Sequence, residues 1–183
     1  MKRPLRLVAA LLLLAAFLPD VRRHAGERSL YRAAALLGSA FSGSIPGADP
    51  HRLAVAARDL AAAASAALPW DPRPPIVEGT ARLALGDAPG AEARFRASVD
   101  RAEKSEALVN LGRALLVKQQ RDAARQVFFR AAWLHPASLA TLPASFREPA
   151  LAETRNAEAR LRERGELAVP SVPPVTIPGR DDR

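Results

Sequence analysis

Apolar and small residues recur at helical spacing through most of this chain. Over residues 27–41, Leu30, Ala33, Ala34, Leu37 and Phe41 mark one face of a helix. Gly43-Ser44-Ile45-Pro46-Gly47-Ala48 breaks that pattern as a loop. Asp49 then caps a second helix with Pro50 at its first position, and Leu53, Ala56, Ala57, Leu60 and Ala64 stripe it as far as Leu68. Pro69 stops it, and Pro72, Pro74 and Pro75 read as a rigid turn. Four shorter amphipathic segments follow, at about 75–86, 89–102, 105–118 and 121–134. His135-Pro136 closes the last of them, and a looser stretch holds Pro143 and Pro149. A charged helix then spans about 149–164 and ends at Gly165. From Val169 to Arg183 four prolines predict an extended or disordered tail.

The apolar positions also repeat on a longer scale. Gly79, Ala81, Leu83, Ala91 and Phe95 recur 33 positions later as Gly112, Ala114, Leu116, Ala124 and Phe128. A period of that length, with small residues where helices must approach closely, marks stacked helical hairpins. Gly86-Asp87 and Gln120-Arg121 occupy the matching turns.

The N-terminus follows another pattern. Lys2, Arg3 and Arg6 precede the unbroken apolar run Leu7–Leu18, which Pro19 and Asp20 end. A basic start before about a dozen apolar residues has the shape of a secretory signal. Such a run rises only about 18 Å as a helix, against a hydrocarbon core of about 30 Å. That favours a cleaved signal. No small-x-small cleavage pair follows the run, and Arg22-Arg23 lies just beyond, which favours an uncleaved signal anchor. Both readings stay open, and both place the bulk of the chain outside the cytoplasm. With basic residues on each side of the run, the orientation rule is blunted.

Composition narrows the picture further. Ala, Leu, Arg and Glu dominate and aromatics make up 5%, which predicts an all-α protein. The formal charge is +8, yet the Arg residues are spread thinly along the chain, with no basic stripe or interleaved aromatics. No nucleic-acid partner is expected. Cysteine is absent, so disulfides, thiolate metal sites and a Cys nucleophile are excluded.

Residues 105–136 resemble the tetratricopeptide repeat. Leu108, Leu111, Gly112 and Leu115 fall at that family's first-helix positions, Ala124, Phe128 and Ala131 at its second-helix positions, and Pro136 at its closing proline. Residues 76–103 are a weaker copy, with Ser98 for the usual alanine, Glu78 and Arg82 for large apolar residues, and Glu103 for the proline. The resemblance implies antiparallel helical hairpins stacked as a short solenoid, preceded by the N-terminal hydrophobic helix. The organisation expected is a signal peptide or anchor over 1–20, a degenerate hairpin over 27–68, two repeats over 73–136, a capping helix over 149–165 and the tail over 169–183. Two repeats cannot bury a continuous core alone, so the flanking helices are needed. Glu153, Arg155, Glu158, Arg160, Arg162 and Glu163 supply the polar outer face a cap requires.

In that family the first helix of each repeat lines a concave groove. The resemblance places Ile76, Thr80 and Leu83 there from one repeat, and Val109, Asn110, Arg113 and Val117 from the next. A helix or extended peptide is the implied ligand, with Asn110 bonding backbone and Arg113 meeting an acid. These two do not complete a clamp for a peptide's terminal carboxylate. No catalytic, metal or cofactor residues are expected. His24, His51 and His135 are far apart, Gly38–Gly43 follows no strand, and the Glu/Arg alternation of the last helix reads as surface pairing. The function expected is therefore a non-enzymatic scaffold at the inner membrane with its bulk in the periplasm, or a free periplasmic protein if the signal is cleaved. The alternatives are an accessory subunit of a larger membrane assembly and, remotely, a small exported enzyme.

Overall fold

The computed structural model describes residues 3–165, with side chains from Pro19 onward. The apolar run and the proline-rich tail therefore lie outside the described side chains. Among the described residues the chain is all-α, and consecutive helices pack against one another. They are α1 (Arg3–Ser42), α2 (Pro50–Ala67), α3 (Arg73–Ala84), α4 (Ala88–Arg101), α5 (Ser105–Val117), α6 (Arg121–Leu134), a 3-10 turn (Pro136–Thr141) and α7 (Ala144–Glu163).

Three boundaries differ from the sequence reading, each at a proline. Helix α1 runs 40 residues through Pro19, rather than stopping there and restarting at 27. A proline removes one intrahelical bond, and the strong helix formers on either side carry the helix across. Pro74 and Pro75 sit in the first turn of α3, buried, instead of forming a turn before it. First-turn N–H groups lack intrahelical partners anyway, so proline costs little there. Helix α7 begins at Ala144 and contains Pro149. Its buried stripe, Phe146, Ala150, Thr154, Ala157 and Leu161, already starts before that proline. No described helix is long and apolar enough to cross a membrane.

The 33-residue echo is a repeat of backbone geometry. Helix α4 (Ala88–Arg101) maps onto α6 (Arg121–Leu134) residue for residue. In the first turn, the N–H of Asp87 donates to Arg82 O (2.9 Å) and that of Gly86 to Leu83 O (3.1 Å). In the second, Gln120 donates to Leu115 O (2.9 Å) and Gln119 to Leu116 O (2.9 Å). Both are Schellman closures, in which a left-handed residue lets two amides reach back to the final helical turn. Gly86 (φ 80°) is therefore matched by Gln119 (φ 64°), one place earlier than the Gln120-Arg121 turn the sequence suggested. A side chain in this region costs about 1–2 kcal/mol relative to glycine. Gln119→Gly should accordingly raise unfolding stability by about 1 kcal/mol, read as a higher midpoint in urea. An unchanged or lowered midpoint would mean that the Gln119 side chain makes a compensating contact.

The core lies between the paired helices. Phe95 and Phe128, both fully buried, each press a ring edge onto a glycine across their hairpin, Gly79 and Gly112 respectively. Leu108, Leu111 and Leu115 of α5 fill the space between the two hairpins. Helix α2 contributes mostly methyl groups: Ala54, Ala57, Ala61 and Ala64 are buried, while Leu53 and Leu60 are half-buried. Its stripe is thus turned by about one residue from the expected one. Alanine permits close approach, and Gly26 of α1 sits against Ala67 and Leu68.

Ion pairs staple one hairpin to the next. Glu92 of α4 accepts from Lys118 at the end of α5 (2.6 Å) and pairs with Arg96 (2.8 Å). Burial alone would raise the Glu92 carboxyl, but these two cations outweigh it and hold it below the usual carboxylate value. Glu103, before α5, pairs with Arg130 of α6 (2.7 Å). Glu78, 2% exposed, is neutralised by Arg82 (3.0 Å) and approached by Arg94 (3.6 Å). Arg82 also holds Asp87 (2.9 Å), whose other oxygen caps α4 at the Gly90 amide (2.9 Å). The two charges that weaken the sequence match in this repeat are therefore a hairpin tie.

Candidate functional site

Helices α1, α3 and α5 are contiguous along one side of the stack, and the 3-10 turn continues that side beyond α5. Two hollows open there. The first, about 350 Å³, lies between α5 and the 3-10 turn, and is lined by Ser105, Glu106, Val109, Asn110, Arg113, His135, Ala137, Ser138 and Thr141. The second, about 250 Å³, lies between α1, α3 and α5, with Leu30, Tyr31, Ala34, Arg73, Ile76, Val77 and Glu106 around it. Glu106 borders both, so the hollows are neighbours on one face.

This face gathers some of the residues expected from the sequence and leaves out others. Val109, Asn110 and Arg113 line the first hollow and Ile76 the second. Thr80, Leu83 and Val117 line neither of the two. The Thr80 hydroxyl donates to Ile76 O (2.8 Å) on its own helix, and Leu83 packs against the core. Val117 is exposed at the far end of α5. Val109 is only 4% exposed, so it forms floor rather than contact surface.

The polar groups are already partly engaged. Arg113 donates to Asn110 Oδ1 (3.0 Å) and to Thr141 O (2.8 Å). It thereby ties the 3-10 turn onto α5 and shapes one wall. The Asn110 carbonyl is spent on that arginine, leaving its amide donor for a ligand. Ser138 is buried below, its hydroxyl without a hydrogen-bond partner among the described residues. At the second hollow Arg73 bridges Glu27 (2.8 Å) and Asp71 (2.5 Å). Burial alone would raise the Asp71 carboxyl, but its bonds to Arg73 and the charges of Arg73 and Lys104 outweigh it and hold it low. Arg73 balances one of those two carboxylates, and Glu106 is the exposed charge shared by the two hollows.

Sequence reasoning missed Tyr31, Glu106 and the wall supplied by the 3-10 turn. Tyr31 is 71% exposed and stands one residue from buried Leu30. A helical signal existed for it, since Glu27, Tyr31 and Ala34 share a flank beside the Leu30–Ala33–Leu37 stripe. Nothing local marked residues 136–141 as a wall, because Arg113 holds them there from 28 residues away.

No family model, curated protein or solved structure matches this chain. Its function therefore rests on the fold and on this face. Among the described residues no group of His, Asp or Glu is placed to hold a metal ion. The two hollows offer apolar walls, a phenol, one amide donor, two guanidinium groups and a carboxylate. That set suits recognition of a peptide surface.

Proposed function

We propose that the chain is a non-enzymatic helical-repeat scaffold of tetratricopeptide type, held at a membrane by its N-terminal segment, which binds a protein partner on the α1–α3–α5 face. The observation that carries the reading is the register of the hairpins. Closures of the same hydrogen-bond pattern, 33 residues apart, set α3 and α5 side by side, and α1 extends their row. Stacked hairpins of this kind leave their first helices on one face, where a chain can be laid across several of them. The proposed ligand is an amphipathic helix or an extended segment. Its apolar side chains enter the hollows over Ile76 and Val109, and a cationic group meets Glu106. The N-terminal part of the reading rests on Lys2, Arg3, Arg6 and the apolar run after them.

The test uses exposed residues. Val109→Asp would place a charge in the core and is avoided. Arg113→Glu would release the 3-10 turn. Tyr31→Ala combined with Glu106→Arg should leave the thermal melt within a few degrees. It should cut partner recovery in mild-detergent affinity purification by about tenfold, the loss expected for a central aromatic anchor. Undiminished recovery from a folded variant would sink the groove. A carbonate wash tests the membrane part, since a chain found wholly in the supernatant is not anchored.

The length of α1 favours one second reading. A single helix from Arg3 to Ser42 joins the N-terminal segment to the domain without a hinge. That suits an accessory subunit whose helix packs among other spans, and fixed stoichiometry with one membrane complex would support it.

A further inference from the structure

The segment after Gly165 carries a pattern of its own. Pro170, Pro173, Pro174 and Pro178 favour a polyproline II backbone, which turns once in three residues and rises about 3.1 Å per residue. At that period Ile177, Arg180 and Arg183 fall on one edge. Asp181 and Asp182 fall on the other two. Neighbours along the Ile177 edge stand about 9.3 Å apart, and packed helices lie about 8–10 Å apart. Laid across a row of helices, such a segment presents one side chain of this edge to each crossing.

The α1–α3–α5 face holds a row of the matching chemistry. The first hollow has Val109 as an apolar floor. Glu106, at the border of both hollows, is exposed and joins no ion pair among the described residues. The second hollow carries the exposed ring of Tyr31. The remaining charges are held or stand aside. Arg113 is tied to Asn110 (3.0 Å) and Thr141 O (2.8 Å), Arg73 is shared by Glu27 and Asp71, and His135 stands on the first hollow's wall. The segment is long enough to arrive. Helix α7 and the three residues before it put Gly165 no more than about 42 Å from Thr141, on the rim of the first hollow. At about 3.4 Å per residue an extended chain from Gly165 covers about 41 Å by Ile177 and about 51 Å by Arg180.

We propose that the chain's own segment Ile177–Arg183 docks on this face, with Ile177 over Val109 in the first hollow, Arg180 on Glu106 and Arg183 over the Tyr31 ring. An apolar side chain, an ion pair and a cation over an aromatic face then follow one another at the helix spacing. Asp181 and Asp182, on the other edges, are turned away from Glu106. Tethering favours this occupant over a free peptide, because a linked segment is present at an effective concentration of the order of mM. The inference rests on the reading that this face takes an extended segment. It deepens that reading by making the tail a competitor that a protein partner has to displace.

The chain has no cysteine, so the full protein in detergent can carry spin labels at Ala137→Cys, exposed at the first hollow, and Gly179→Cys. Pulsed dipolar spectroscopy should give one narrow, short distance. Arg180→Glu and Glu106→Arg should each spread it into the broad distribution of a free chain, and the two together, with the charges exchanged, should restore it. A broad distribution in the unaltered chain would overturn the docking, and a broad distribution in the exchanged pair would overturn the Arg180–Glu106 contact. Mixing chains labelled only at 137 with chains labelled only at 179 should give no peak; a peak there would place the segment on a second copy and overturn the contact within one chain. A segment docked about two-thirds of the time leaves a third of the chains open, so Arg180→Glu should raise partner recovery about threefold at low partner concentration. Unchanged recovery would overturn the competition. The two proposals fail separately. A broad distance with partner recovery still dependent on Tyr31 and Glu106 sinks the docked segment alone, whereas a narrow distance with recovery independent of them sinks the partner groove alone.

Discussion

Phe128→Ala should lower the unfolding free energy by about 3–5 kcal/mol, a large share of the about 5–15 kcal/mol available to a domain of this size. Phe128 has no exposed surface. It joins three elements at once. Its edge lies on Gly112 of α5, its ring packs against Phe146 of α7 (centroids 5.0 Å apart, planes at 58°), and it belongs to the main core cluster. Truncation leaves a cavity bordered by a glycine, which has no side chain to move into it. In a stacked array each hairpin leans on its neighbours, so the loss should also uncouple α7. Urea unfolding followed by circular dichroism should show a lower midpoint and a shallower slope, the sign of a segment already detached. Loss of less than about 1 kcal/mol would mean that the cavity collapses and that Phe128 is not the joint described here.

Gly112→Val is the second large effect, and here two opposing terms must be weighed. Replacing glycine inside a helix ordinarily stabilises by about 0.5–1 kcal/mol through lost chain entropy. At Gly112, however, an added Cβ meets Cε1, Cδ1 and Cζ of Phe128, each far inside normal contact. The ring cannot retreat, because Phe146 lies beyond it. Overpacking costs about 1–3 kcal/mol for small insertions, and valine adds two further methyl groups, so destabilisation wins. Gly38→Ala is the matching control: nothing lies within 4 Å of its Cβ position, so only the favourable term remains. Combining Gly112→Ala with Phe128→Leu should cost less than the two changes summed, because the smaller side chain vacates the space the methyl needs. Strict additivity would mean that the two residues are not in repulsive contact.

The Gly112–Phe128 pair also shows how far the sequence could be read. Its recurrence as Gly79–Phe95 exposed the 33-residue register, and the helices α3 to α6 fall within two residues of where caps and periodicity place them. Signals such as Asp49 ahead of Pro50, whose carboxylate accepts from His51 N (2.9 Å), act within a single turn and need no partner elsewhere. The prolines were read less well. Pro19, Pro74 and Pro149 each look like breaks locally, yet each lies inside a helix. At Pro149 the helix survives one lost bond because residues on both sides, Phe146 before it and Ala150, Thr154, Ala157 and Leu161 after it, are buried, which is a tertiary quantity.

The candidate site was less legible than the fold. Asn110 and Arg113 were foreseen on the right helix, but in the structure they bond to each other and to the 3-10 turn. Val109 is floor rather than the contact residue its repeat position implies, and Tyr31 and Glu106 stand at positions the repeat pattern does not mark. The sequence by itself determined the all-α class, the ends of α2 to α6 to within two residues and the hairpin register, because helix caps, close-packed glycines and 3.6-residue stripes are short-range properties of the chain. Only the tertiary structure decided which residues line the hollows and which charges stay exposed. Those properties belong to surfaces assembled from α1, α3, α5 and the 3-10 turn, whose residues are brought together by packing across tens of positions.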